Sequence, residues 1–228
     1  MYNTPQKLAA EFLGTFAFVF FSAGAVCADR FLQSNGAGVL GIALTAGLTI
    51  AIFSTALAGV SGAQFNPAIT IGLWITKRMN TMEAFGYGIA QVLGGILAAF
   101  FLKWILPRDE AWQPVLGGTL DLTRDFTRLP AIGLEALITF LLVFVYFATR
   151  PEVDFDSRAR SGFAVGLIYT LGILVAGPFT GAALNPARAF GPALASTHWA
   201  NQGVYWVGPL IGGLAGPIHD ALYGKKPA

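Results

Sequence analysis

Two copies of one short pattern carry the strongest chemical signal in this chain. Ser61-Gly62-Ala63-Gln64-Phe65-Asn66-Pro67-Ala68 and Thr180-Gly181-Ala182-Ala183-Leu184-Asn185-Pro186-Ala187 share Ser/Thr-Gly-Ala-x-x-Asn-Pro-Ala. Asparagine is a strong helix N-cap, and proline suits the first helical position because its missing N–H would be unpaired anyway. Each motif therefore predicts a helix start. The capping oxygen accepts a backbone N–H, which leaves the side-chain NH2 free to donate. Arg188 follows the second motif. As a lone charge in an apolar chain it is either structural, paired to a carboxylate, or a functional-site candidate that donates to solute oxygens. One Asn-Pro alone is most often a plain capped helix; two copies in an apolar chain are not.

Other residues admit rival chemistry. Gly59-Val60-Ser61-Gly62 fits a G-x-S-G nucleophile pattern, with His198 or His219 as base, so an intramembrane serine protease is a remote alternative. Thr180 occupies the place of Ser61 in the second copy, which favours a shared turn. Glu11 and Glu135 could relay protons as in a secondary transporter, the other remote alternative. Their places in the repeat favour a supporting role, each carboxylate accepting backbone N–H bonds from the re-entrant loop beside it. Cys27 is the only cysteine, so no intramolecular disulfide, CxxC metal site or redox pair is possible. No strand-linked glycine fingerprint appears. Neither metal nor cofactor is expected, nor any enzymatic activity.

These residues must be positioned in lipid. The chain has 228 residues, 55% of them hydrophobic and 11% charged, whereas a soluble domain carries about 25% charged residues. A net charge of +2 without a basic run gives no reason to expect nucleic acid as a partner. Apolar runs predict spans at about Leu8–Ala28, Gly38–Val60, Glu83–Leu106, Ala131–Thr149, Ser161–Gly177 and Gly203–Tyr223. Each approaches the roughly 20 residues needed to cross a bilayer. Pro67 to about Thr76 and Pro186 to about Ala195 are too short to cross, since ten helical residues reach about 15 Å. Half-spans are tolerated only where protein or a water-filled cavity surrounds their open ends. Leu8–Ala28 is not read as a signal peptide, because Glu11 interrupts it and it has a partner inside the chain.

The chain is written twice. Glu11-Phe12-Leu13-Gly14-Thr15-Phe16 matches Glu135-Ala136-Leu137-Ile138-Thr139-Phe140 in E-x-L-x-T-F. Tyr87 precedes Gly94-Gly95 as Tyr205 precedes Gly212-Gly213. Each half holds three spans and a half-span, and an odd number inverts the second half. The expected architecture is one transmembrane domain over 1–228: repeat 1 at about 1–106, loop C at about 107–130, repeat 2 at about 131–228. Asn66 and Asn185 then face each other near the midplane, with half-helix dipoles adding positive potential there. Gly88, Gly94, Gly95, Gly208, Gly212 and Gly213 are expected to allow close helix packing. Lys7, Lys77, Arg78, Arg150, Arg158, Arg160, Lys225 and Lys226 fall on one side, which predicts cytoplasmic termini. Arg30, Arg108, Arg124 and Arg128 fall on the other, diluted by acids.

The paired Asn-Pro-Ala motifs with Arg188 resemble the aquaporin, or major intrinsic protein, family over nearly the whole chain. Ile173–Gly181 and Val204–Gly213 look most like plant tonoplast intrinsic proteins. The resemblance implies an all-α membrane protein with an inverted repeat, six transmembrane helices and two re-entrant half-helices. It implies passive permeation of water and small uncharged solutes (glycerol, ammonia, boric or arsenous acid) with exclusion of protons and ions. It further implies a homotetramer with one pore per protomer in a multi-pass membrane setting, the cell's inner membrane for a prokaryotic source. Counting from the asparagines, the family's selectivity filter falls on Ala46, Ile173, Ala182 and Arg188. The Phe and His common in strict water channels are missing, and the ring resembles the wide filters of metalloid-permeable members. Ala189 and Tyr205-Trp206 depart from glycerol facilitators toward water channels, so a strict water channel is the alternative.

Overall fold

A computed structural model of the chain describes residues 2–149 and 155–224. Arg150, Lys225 and Lys226, and the side chain of Arg158, all used in the charge argument, lie outside the described residues. Among those described, the regular elements are all helical. The main ones are α1 (Thr4–Leu32), α2 (Gly38–Ser61), α3 (Pro67–Ile75), α4 (Thr81–Ile105), α5 (Arg128–Ala148), α6 (Phe155–Thr180), α7 (Pro186–Ser196), α8 (Gln202–Gly212) and α9 (Ala215–Tyr223).

Asparagines set the helix starts. Asn3 opens α1 with a reciprocal box, accepting from the Gln6 amide at 3.0 Å while the Gln6 side chain accepts from the Asn3 amide at 2.9 Å. Asn80 opens α4, and Asn66 and Asn185 open α3 and α7. At 9 and 11 residues, α3 and α7 reach only half-way across a bilayer. Among the described residues, five helices are long and apolar enough to span. The sixth crossing differs from the single span expected at Gly203–Tyr223: α8 and α9 make it in two pieces. Pro217 has no N–H to give the Gly213 carbonyl, which takes the Gly216 amide at 3.2 Å instead. The break rests on α3, where a Cβ on Gly213 would sit 2.9 Å from the Ala68 carbonyl oxygen.

Within the halves, α1 packs on α4 and α5 on α8. Across the halves, α2 packs on α6, α7 on α4, and α3 on α8 and α9. Glycines set several of these distances. A Cβ on Gly95 would meet the Ala187 carbonyl oxygen at 2.7 Å, and one on Gly212 the Ala136 carbonyl oxygen at 2.8 Å. Gly94 and Gly208 are similarly crowded. Gly88 is the exception: it faces open space, so its expected packing role does not hold. Large apolar side chains such as Phe85 and Trp104 on α4 point outward, which suits a surrounding of hydrocarbon.

Loop C is more than a linker. A helical turn at Arg108–Trp112 and a tighter one at Gln113–Gly118 fold it inward. Trp112 is buried in an apolar cluster with Val19, Ala23, Cys27 and Leu102, which anchors the loop on α1 and α4.

Candidate functional site

The two loops that lead into α3 and α7 are built alike. Glu11, on α1, accepts from Ser61 Oγ at 2.6 Å, the Gln64 amide at 3.0 Å and the Phe65 amide at 2.7 Å. Glu135, on α5, accepts from Thr180 Oγ1 at 2.6 Å, the Ala183 amide at 3.0 Å and the Leu184 amide at 3.1 Å. Both glutamates are fully buried. Tyr87 donates to the Ser61 carbonyl, and Tyr205 to the Thr180 carbonyl. Left-handed backbone recurs at Ala63 and Phe65 and at Ala182 and Leu184, so the chain winds through both loops in the same way. Buried carboxylates that accept several N–H bonds are a fixed scaffold, and a buried loop could not otherwise satisfy its amides.

This scaffold brings Asn66 and Asn185 together. Asn66 Oδ1 accepts from the Ala68 amide at 2.8 Å, and Asn185 Oδ1 from the Ala187 amide at 2.9 Å. Pro67 and Pro186 occupy the first turns. The amide nitrogens cross over: Asn66 Nδ2 donates to the Leu184 carbonyl, and Asn185 Nδ2 to the Phe65 carbonyl, each at 2.8 Å. Two half-helices from opposite halves therefore meet N-terminus to N-terminus. Among the described residues, no protein donor bonds the carbonyls of Ala63, Gln64, Ala182 and Ala183.

The expectation of free amide donors fails at Asn66. Its second N–H goes to the phenol oxygen of Tyr169 at 2.7 Å. Asn185 lies beside the same phenol. Tyr169 is 1% exposed and packs against Phe18 with ring centroids 5.0 Å apart. It stands on α6 one helical turn before Ile173. That spacing was the available signal, because residues four apart share a helix face.

Ala46, Ile173 and Ala182 fall in one apolar cluster with Phe18 and Tyr169. Arg188 sits in the first turn of α7 and donates to the Gly118 carbonyl of loop C at 3.0 Å. It has no carboxylate partner among the described residues. Gly118 has φ of +72°, and a Cβ there would lie 2.8 Å from the Ala23 carbonyl oxygen, so glycine lets loop C reach this arginine. Ala46 is 0% exposed. The room left by its small side chain is thus filled rather than open. Arg128 does not fill it, since that residue donates to Asn201 at 2.9 Å and is exposed.

Two cavities flank this centre. The one of about 380 Å³ is bordered by Val26, Ile42, Gly118, Leu120 and Ile173. The other, of about 280 Å³, is bordered by Ser61, Gln64, Arg78, Tyr87 and Tyr146. The residues of a serine protease are not assembled. Ser61 bonds to Glu11, while His198 lies 2.7 Å from Asp121 and His219 packs edge-on or tilted against Phe144, Phe147 and Tyr223. The described residues contain no cluster of potential metal ligands, and Cys27 is buried.

Residues 2–219 match the major intrinsic protein family. The chain is 40% identical over 225 residues to aquaporin TIP4-4 of Zea mays, covering 96% of this chain and 86% of that protein. It is 37% identical over 224 residues to aquaporin TIP2-1 of Arabidopsis thaliana, covering 94% and 86%. Its fold is similar to the X-ray structure of the aquaglyceroporin from Plasmodium falciparum, with a TM-score of 0.81 at 21% identity and coverage of 98% and 96%.

Proposed function

The chain belongs to the major intrinsic protein family, and on that footing we propose that it is a passive pore for water and small uncharged solutes that excludes protons and ions. It is an integral, multi-pass membrane protein of a channel family, so catalysis is not its business. The observation that carries the reading is the meeting of Asn66 and Asn185 with an arginine nearby that no carboxylate among the described residues neutralises.

The chemistry follows from donors and acceptors. The N-termini of α3 and α7 place partial positive charge at one point, which repels hydronium and other cations. A water that accepts from asparagine there cannot also accept from its neighbours in file, so a proton wire is broken. The unpaired carbonyls of Ala63, Gln64, Ala182 and Ala183 supply acceptors for the water's own hydrogens. Arg188, held by loop C, donates to solute oxygens and adds to cation exclusion.

The ring of Ala46, Ile173, Ala182 and Arg188 serves as the selectivity filter. Three apolar side chains with one guanidinium suit a small uncharged molecule that offers an oxygen or nitrogen lone pair to the donor and a weakly polar face to the rest. Glycerol, ammonia, boric acid and arsenous acid are the candidate solutes. The complete burial of Ala46 favours a second reading, a strict water channel with an unusual lining. Solute flux into proteoliposomes separates the two: uptake of any of these four above the lipid background supports the first, and uptake of none leaves the second. Linear rather than saturable flux separates a pore from an ion-coupled transporter. Placement of both termini on the cytoplasmic side accords with Lys7, Lys77 and Arg78 at one end of the bundle. Assembly as a homotetramer accords with the exposed apolar ridges Leu44, Leu48 and Ile52 on α2 and Leu167, Leu171 and Val175 on α6.

A further inference from the structure

The Asn66 amide is meant, in the pore reading, to hold a passing water, yet its partner is a side chain of the protein. One N–H is fixed on the Leu184 carbonyl and the other on the Tyr169 phenol. A phenol oxygen and a water oxygen are equivalent acceptors for an amide donor. Tyr169 therefore stands where the central water of a single file would stand. It is not a loose occupant. Its ring is 1% exposed and packs on Phe18, which is equally buried, and Asn66, Asn185 and Ala46 are 0% exposed. Cavities exist on both sides, and the side chains at the centre, Phe18, Ala46, Asn66, Tyr169 and Asn185, are each at most 1% exposed.

The repeat indicates that the fold does not demand a tyrosine here. Counting back equally from Asn185 and Asn66 reaches Tyr169 in one half and Ile50 in the other. Ile50 is also buried, so an aliphatic side chain satisfies the packing at the related place. The ring and its hydroxyl are an addition peculiar to the second half.

We infer that Tyr169 is the midplane barrier of this channel: its hydroxyl competes with permeating water for the asparagine donors, and its ring must leave the axis before anything passes. The inference rests on the pore reading above. It makes Tyr169, rather than the Ala46–Ile173–Ala182–Arg188 ring alone, a determinant of flux. When the ring swings away, Asn66 recovers a donor for the file, so opening restores water binding and proton exclusion together. The cost of opening is limited, because the hydrogen bond lost to the phenol is replaced by one to water.

The test compares wild type, Tyr169→Phe and Tyr169→Val in proteoliposomes, by osmotic shrinkage and by retention of an imposed pH gradient, with thermal unfolding in detergent as a check on folding. Tyr169→Val should raise water permeability several-fold and still hold the pH gradient. Tyr169→Phe keeps the ring on Phe18 but loses the tie to Asn66, and its permeability should fall between the other two. If the Val variant does not fold, Tyr169→Ile, which carries the side chain found at Ile50, takes its place with the same expected and overturning results. A folded Val variant no faster than wild type overturns the inference. The pore reading survives that result if wild type exceeds protein-free vesicles and falls with it if neither does. A Phe variant indistinguishable from wild type overturns the claim that the hydrogen bond holds the barrier.

Discussion

Asn185 Nδ2 and the Phe65 carbonyl oxygen are 2.8 Å apart, although 120 residues separate them in the chain. With its counterpart from Asn66 to Leu184, this bond locks the two half-helices end to end. Each asparagine thus caps its own helix and holds the opposite loop.

Asn185→Ala should accordingly cost more than an ordinary cap. Losing the cap costs about 1 kcal/mol, and leaving the buried Phe65 carbonyl unpaired costs about 1–3 kcal/mol more. The expected outcome is a clearly lowered unfolding midpoint in detergent, together with reduced water permeability. A variant as stable as wild type would show that the crossed bonds contribute nothing.

Glu11→Gln tests scaffold against relay. The substitution keeps shape but turns an NH2 toward the Gln64 or Phe65 amide, setting donor against donor. Stability should drop by about 1–3 kcal/mol, with proton flux unchanged at the background level. Proton movement that is present in wild type and abolished in the variant would favour a relay.

The sequence disclosed a good deal of this centre because its devices are local and duplicated. Asn66-Pro67 and Asn185-Pro186 announce helix starts by residue type alone, and the short apolar runs after them announce half-spans. Glu11 and Glu135 were legible through their shared E-x-L-x-T-F setting. What escaped depends on tertiary proximity or on asymmetry. Tyr169 has no counterpart in the first half, so the repeat hid it; only its place one turn before Ile173 hinted at it. The contact between Arg188 and Gly118 joins loop C to α7, and no spacing encodes it. The break between α8 and α9 follows from Pro217, but a hydropathy run passes straight through it. Gly88 resembled its packing neighbours in type and differs in what it faces.

Loop C and the segment after α7 are joined outside the membrane by Asp121, which lies 2.7 Å from His198 Nε2 and accepts from Asn201 Nδ2 at 2.7 Å. Arg128 faces the same group through Asn201. Burial alone would raise the Asp121 pKa, but hydrogen bonds from Asn201, His198 and the Leu122 amide, with the His198 charge, hold it below its usual value. A carboxyl depressed in the folded state contributes stability above its unfolded pKa and loses it as pH falls through the folded value. Wild type should therefore be more stable than Asp121→Asn at pH 7, and the gap should close only below about pH 4, the ordinary aspartate range. Unfolding midpoints measured across pH check this; a gap that closes near neutrality would assign the effect to another group.

Ala46→Phe probes the filter. Adding a ring where Ala46 is fully enclosed should reduce glycerol or boric acid flux far more than water flux, if the ring of residues around Arg188 selects by size. Equal reduction of both would place size selection elsewhere, with Tyr169 the first alternative.

The central claim is that paired helix starts make a pore that water crosses and protons do not. Reconstituted protein in vesicles carrying both a volume signal and an interior pH indicator tests it in one experiment. Wild-type vesicles should shrink faster than protein-free vesicles under an osmotic step while an imposed pH gradient decays no faster than in lipid alone. Dissipation of the gradient as readily as shrinkage, or shrinkage at the lipid rate in wild type and Tyr169→Val alike, would contradict the account.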